Sequence, residues 1–172
     1  MNLKEYIRDI PDFPKRGILF RDIEPILENP EATSFVIEHL VAIAKEVGAT
    51  KIMAFESRGF MFGPTLAHKL HLPFRMLRKK GKLPGRTISA KYELEYGEAE
   101  LEMAEDAVAL NERVLLVDDL LATGGTSKAG MILIEKVGGV VAGLAYVIEL
   151  AGLSGRKVLG GYPVYTLVAY DD

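Results

Sequence analysis

The sequence predicts an α/β domain: a mostly parallel sheet flanked by helices on both faces. Three observations carry this. Lys51-Ile52-Met53-Ala54-Phe55, Val114-Leu115-Leu116-Val117 and the stretch from Val140 to Leu150 are apolar runs without polar alternation, the pattern of strands buried on both faces. Segments with helical spacing alternate with these runs, as βαβ units require. Two of the runs lead into turns rich in small and charged residues, Glu56-Ser57-Arg58-Gly59 and Asp118 to Thr126, at the strand ends where such sheets place their ligands.

Taken in order, Leu3, Tyr6, Ile7 and Ile10 keep helical spacing and predict a short opening helix that Pro11 stops. Pro11, Pro14, Pro25 and Pro30 then punctuate an irregular segment. Asn29 followed by Pro30 predicts an N-cap and first turn; Val36, Leu40, Ile43 and Val47 line one face of that helix, and Gly48 supplies its stop. After the strand at 51–55, Phe60 to Leu70 resumes a helical pattern despite Pro64, and Phe74 to Leu77 is the next strand. Val114 to Val117 forms a strand ending in Asp118-Asp119, and Gly124-Gly125 open a helix through Ala129, Ile132, Leu133 and Val137. Val140 to Leu150 and Val164 to Ala169 complete the strands.

A chain of 172 residues fits a single domain spanning 1–172, and 49 % apolar residues provide a sizeable core. With no cysteine, disulfides, thiolate catalysis and cysteine-ligated metals are excluded. A net charge of −3 argues against a surface that grips nucleic acid or anionic lipid. The run from Val137 to Ile148 falls short of the roughly 20 apolar residues of a membrane span. The first residues lack a secretory apolar core and carry Glu5, Asp9 and Asp12, so the expected location is cytoplasmic.

One segment departs from the alternation. Arg75 to Lys91 holds seven bases and no acid, and Tyr92 to Asp106 holds seven acids and no base. Leu94, Tyr96, Ala99, Leu101 and Met103 give a partial period of two. Two readings stand: a surface hairpin whose charged arms neutralise each other, or a mobile flap that carries positive charge toward an anionic ligand.

The richest chemistry lies between Val117 and Thr126. A strand delivers two carboxylates, and the following Ala122-Thr123-Gly124-Gly125-Thr126 turn exposes backbone N–H groups and hydroxyls before a helix N-terminus, a suitable cradle for phosphate. Lys128 follows Ser127 rather than glycine, so this is no Walker A loop, and the dinucleotide G-x-G-x-x-G is absent. Carboxylates for hydroxyls beside a phosphate turn point to a ribose phosphate. Ser57 lacks the first glycine of a nucleophile elbow, and His68 with His71 has no third ligand nearby in the sequence.

The string Val117-Asp118-Asp119-Leu120-Leu121-Ala122-Thr123-Gly124-Gly125-Thr126 resembles the phosphoribosyl-pyrophosphate motif of type I phosphoribosyltransferases, in its adenine-specific form. Pro11-Asp12-Phe13-Pro14 with Gly17 to Ile23, Glu56 to Pro64, and Arg78 to Gly85 with Leu94 to Gly97 agree with the same family, in family order and over almost the whole chain. Asn111-Glu112 stands where relatives often carry Pro-Gly.

The resemblance implies the type I phosphoribosyltransferase fold, with a small N-terminal base-binding hood (1–30) and a flexible catalytic flap (78–106). It implies transfer of ribose 5-phosphate from phosphoribosyl pyrophosphate to N9 of adenine, with Mg2+ on the diphosphate, no direct side-chain ligand to that metal, and a homodimer. Ala122, Thr123, Gly124, Gly125 and Thr126 would hold the 5′-phosphate, while Asp118 and Asp119 would take the ribose hydroxyls and offset oxocarbenium-like charge. Ser57, Arg58, Arg78, Lys79 and Lys82 would bind pyrophosphate. Leu19, Phe20, Arg21 and Leu120 would form the adenine slot, with Phe20 and Leu120 on opposite faces of the base. Glu95 would handle the purine proton and Tyr96 would order it. Ala122 replaces the aspartate of the 6-oxopurine enzymes, which favours adenine. A transferase for another purine and a non-catalytic ligand-sensing regulator of the same fold are the alternatives.

Overall fold

The computed structural model describes residues 1–94 and 97–171. A 3-10 turn at Leu3–Tyr6 leads into β1 (Arg8–Pro11), which pairs antiparallel with β2 (Leu19–Asp22), Ile10 opposite Phe20. The opening helix expected up to Ile10 therefore shrinks to the 3-10 turn at Leu3–Tyr6, and Arg8 to Ile10 are strand. Its last residues find cross-strand partners instead, Arg8 with Asp22 at 2.5 Å and Asp9 with Arg21, and such partners lie outside any local sequence window. The segment after Pro11 is also more regular than expected, because Pro25 sits in the first turn of α1 (Glu24–Glu28).

The helix α2 (Pro30–Glu46) starts where its cap predicts. The Asn29 side chain accepts from the backbone N–H groups of Glu31 and Ala32, and Gly48, at φ +62°, follows its C-terminus. β3 (Lys51–Phe55) matches its predicted span. A 3-10 turn at Arg58–Met61 then separates the loop from α3 (Gly63–Leu70). Pro64 thus occupies a helix's first turn, where its missing N–H is no loss, rather than the interior of one longer helix.

There follow β4 (Phe74–Lys79), the hairpin β5 (Thr87–Leu94) and β6 (Gly97–Ala104), β7 (Arg113–Leu121), α4 (Gly125–Lys136), β8 (Val140–Leu150), the short α5 (Gly155–Val158) and β9 (Val164–Tyr170). Neither α5 nor the 3-10 turn before it had been expected. β7 runs on to Leu121, so Asp118 and Asp119 lie within the strand and not at its end, because β8 continues to pair with it through Glu149.

The seven-stranded sheet has the order β5-β6-β4-β3-β7-β8-β9. Its five strands from β4 to β9 are parallel, and the β5–β6 hairpin is added antiparallel at one edge. Alternate residues of the central strands feed two cores. Ile52, Ala54, Leu115 and Val117 pack with α2 and α3, whereas Met53, Phe55, Val114 and Leu116 pack with α4 and with Leu101 and Met103 of the hairpin. Among the described residues no helix is long and apolar enough to cross a membrane.

The Asn29 cap is the only side-chain cap at the start of α2, whose Val36 and Leu40 are fully buried. Asn29→Ala is expected to lower unfolding stability by about 1 kcal/mol in a urea titration, with an unchanged m-value.

Candidate active site

The parallel register of β3 with β7 sets Ala54 beside Val117, so the 56–59 turn leaves the sheet next to the two aspartates. Contact at this point requires glycine: a β-carbon on Gly59 would lie 2.8 Å from the Val117 carbonyl oxygen and 3.1 Å from Asp118 Oδ1. Arg58 Nε then reaches to 2.9 Å from Asp119 Oδ2. Asp119 is 2 % exposed, and the contact with Arg58 lacks the alignment of a hydrogen bond, so Oδ2 has a counter-charge and no donor of its own.

Asp118 Oδ1 accepts from the Asp119 backbone N–H at 2.9 Å. Burial first, and the neighbouring Asp119 charge second, push the Asp118 carboxyl well above the usual carboxylate range. Burial also raises Asp119, against the pull of Arg58. Two acceptors are thus held close together, short of hydrogen-bond donors.

The turn after β7 has the expected form. Gly124, at φ +83°, stands at the N-cap of α4 and offers no capping side chain, so the first amides of the helix are free to bind an anion. Thr123 is exposed, and Thr126 lies in the first turn. One support of this turn, the pairing of Tyr146 with Ser127, is not predicted by the sequence. The buried Tyr146 hydroxyl donates to Ser127 Oγ at 2.6 Å, joining β8 to the first turn of α4 directly across from Asp118. Burial pushes the Tyr146 phenol far up, so it stays a donor. The available signal was a single phenol within an otherwise aliphatic strand, since a buried hydroxyl demands a partner.

Above the acids, Phe20 of β2 is half-buried and belongs to neither core. It meets Phe13 edge-on at 5.1 Å, and the Arg58 guanidinium sits 5.2 Å from its ring centroid. Arg58 therefore links the expected base slot with the carboxylates. Leu19 is exposed beside it, and Leu120 is half-buried against the first core. The Arg21 side chain turns inward, 5 % exposed, paired with Asp9 and stacked 3.8 Å over the Tyr170 ring.

Among the expected pyrophosphate residues, Ser57 and Arg58 share the turn with Glu56, to which no role had been given. Glu56 takes Arg78 through two hydrogen bonds of 3.2 Å and the Lys79 backbone N–H at 2.9 Å. Burial drives the Glu56 carboxyl up, but these bonds outweigh it and hold it below the usual range. Arg78 also donates to the Lys82 carbonyl, so its guanidinium knits the turn to the base of the hairpin. A carboxylate beside an anion cradle needs a neutralising partner, and that need was the signal.

The charge blocks divide between both readings. Arg75 pairs with Asp106, Lys80 with Glu100 and Lys91 with Glu98, whereas among the described residues Lys79, Lys82 and Arg86 form no ion pair. The hairpin lies over the phosphate turn: a β-carbon on Gly125 would come within 3.3 Å of the Glu93 carbonyl oxygen, and a cavity of about 480 Å³ separates Lys91 and Tyr92 from Thr123 and Lys128. A larger crevice of about 800 Å³ lies between Phe74, Met76, Leu83 and Pro84, away from the aspartates. Glu95 and Tyr96 lie outside the described residues.

Residues 24–165 match the family model of the phosphoribosyl transferase domain. The adenine phosphoribosyltransferase of Thermosipho melanesiensis is 52 % identical over 170 residues, 99 % of this chain and 97 % of the relative. The crystal structure of adenine phosphoribosyltransferase from Thermoanaerobacter pseudethanolicus superposes with a TM-score of 0.95 at 47 % identity, covering 98 % of each chain. That of the Trypanosoma brucei enzyme, in complex with AMP, pyrophosphate and ribose-5-phosphate, superposes with a TM-score of 0.88 at 30 % identity, covering 97 % of this chain and 78 % of the other.

An acid raised by burial binds more protons folded than unfolded, so its contribution to stability falls as pH rises above the ordinary aspartate value of about 3.9. Asp118→Asn is expected to raise the thermal midpoint of the ligand-free protein at pH 8 and to flatten its decline with pH. A lower midpoint at pH 8 would show that Asp118 is not under repulsion.

Proposed function

The chain belongs to the phosphoribosyl transferase domain family, and from that premise we propose that it transfers ribose 5-phosphate from phosphoribosyl pyrophosphate to N9 of adenine, forming AMP and pyrophosphate. The observation that carries the reading is the meeting of Arg58 with the buried Asp119, next to the half-buried Asp118 and beside the uncapped amides of α4. One short stretch of chain thereby offers acceptors for ribose hydroxyls and donors for a phosphate.

Breaking the bond between ribose C1 and the pyrophosphate oxygen leaves positive charge on the sugar and an electron pair on the leaving group. Asp118 and Asp119 offset the first. Arg58, held by Asp119 at Nε, turns its guanidinium to the second together with Ser57, Lys79 and Lys82, while Arg78, gripped by Glu56, keeps this loop in place. Ala122 to Thr126 anchor the 5′-phosphate, so that C1 stays aligned. Phe20 and Leu120 sandwich the base, the backbone around Leu19 and Arg21 reads its edge, and Glu95, ordered by Tyr96, accepts the N9 proton.

Mg2+ fits this site as a passenger of the diphosphate. Among the described residues no three acidic or histidine side chains converge on one point, and a hard cation that keeps phosphate oxygens and waters as ligands needs none. Bound there, it would neutralise charge on the leaving group. The family resemblance adds a homodimer and a cytoplasmic setting to the reading.

Adenine, with Mg2+, is expected to release pyrophosphate faster than hypoxanthine, guanine or xanthine, and omission of the metal is expected to abolish release. A preferred 6-oxopurine would overturn the argument from Ala122, and binding of phosphoribosyl pyrophosphate without release would favour a non-catalytic regulator. Arg58→Ala and Asp119→Ala are each expected to reduce kcat on the order of 10²-fold; wild-type kinetics in both would overturn the site assignment.

A further inference from the structure

The phosphate turn is supported from behind by groups that no step of the reaction touches. Glu149, 8 % exposed, stands in β8 opposite Leu121, the last residue of β7 before the turn. Arg156 grips it with a two-pronged pair, Nε to Oε1 at 3.1 Å and Nη2 to Oε2 at 2.6 Å, and its Nη1 donates to the Val164 carbonyl at 2.6 Å. The Thr166 hydroxyl completes the cluster by donating to Glu149 Oε2 at 3.0 Å. Three elements, β8, α5 and β9, are thus fastened at one guanidinium.

Arg156 directly follows Gly155, and Gly155 touches the turn backbone to backbone. A β-carbon on Gly155 would lie 2.0 Å from the Ala122 carbonyl oxygen and 3.1 Å from the Gly124 nitrogen; one on Gly124 would lie 2.7 Å from the Gly155 oxygen. Such packing leaves no slack, so a shift of α5 displaces the amides of Ala122 to Gly125. The charge of Arg156 is meanwhile absorbed by Glu149, whose hydrogen bond from Arg156 holds its carboxyl below the usual range. Arg156 therefore acts through placement, not by attracting the anion.

We propose that the Arg156–Glu149 clamp is a positioning device that fixes the geometry of the phosphate turn through Gly155, and so sets affinity for the ribose 5-phosphate end of the substrate. The inference rests on the reading of Ala122 to Thr126 as the phosphate site. Its chemistry is specific to arginine, because a lysine at 156 supplies a charge and no planar fork.

The test uses the full chain, with ribose 5-phosphate as the binding probe and steady-state kinetics for both substrates. Arg156→Lys and Arg156→Gln are expected to raise the Kd for ribose 5-phosphate and the KM for phosphoribosyl pyrophosphate about tenfold, with kcat within about threefold of wild type and the KM for adenine unchanged. Glu149→Gln and Thr166→Val, milder changes that keep the packing, are expected to shift the same two constants in the same direction by less. Unchanged constants, or an equal loss in kcat and in the KM for adenine, would overturn the clamp. Thr126→Val separates the two levels: if it weakens ribose 5-phosphate and the Arg156 variants do not, the clamp alone has failed, whereas if neither does, the phosphate reading fails and takes the clamp with it.

Discussion

Everything at the site depends on β3 and β7 running side by side in the same direction. With Ala54 set against Val117, the chain leaving β3 passes immediately over Val117 and Asp118 of β7, and Gly59 is the residue that permits the approach. Slipping the register by one residue would send Ile52 and Ala54 to the opposite core and would turn the aspartates over. The two cores therefore hold the site in place: Leu115 and Val117 bury one face, Val114 and Leu116 the other, and Asp118–Asp119 arrive with their orientation already decided.

That arrival has an electrostatic cost. A buried carboxylate, Asp119, adjoins a half-buried one, Asp118, with a single guanidinium beside Asp119, and one of their oxygens lacks a donor. The neighbouring strands hold the pair through the ladders of β7 with β3 and β8 and through the two cores. A ligand bearing hydroxyls and a cationic centre would relieve the deficit, so the strain is directed at the chemistry that the family performs.

The charge of the whole chain conceals this arrangement. A net −3 describes no single region, since the seven bases and seven acids of Arg75 to Asp106 cancel. In three dimensions the cancellation is only partial. Arg75, Lys80 and Lys91 meet acids along the hairpin and Arg78 meets Glu56, whereas Lys79 and Lys82 face outward at its base. The hairpin serves two purposes at once: Leu101 and Met103 seal the second core, while Tyr92 and Glu93 reach across to Gly125.

Local chemistry was legible from the residues alone. Asn29-Pro30 announced α2, uninterrupted apolar runs announced β3 and β8, and Thr-Gly-Gly-Thr announced a helix start without a side-chain cap, because each depends on neighbours within a few positions. The sequence by itself determined the α/β class, the residues of the turn and the acids beside it. Only the tertiary structure decided that Arg8 to Pro11 form a strand, that Glu56 holds Arg78, that Tyr146 supports Ser127, and that Arg156 braces the turn through Gly155. Each of these is a pairing between segments distant along the chain, and the energy of such a pairing is a property of register and packing that no window of sequence contains.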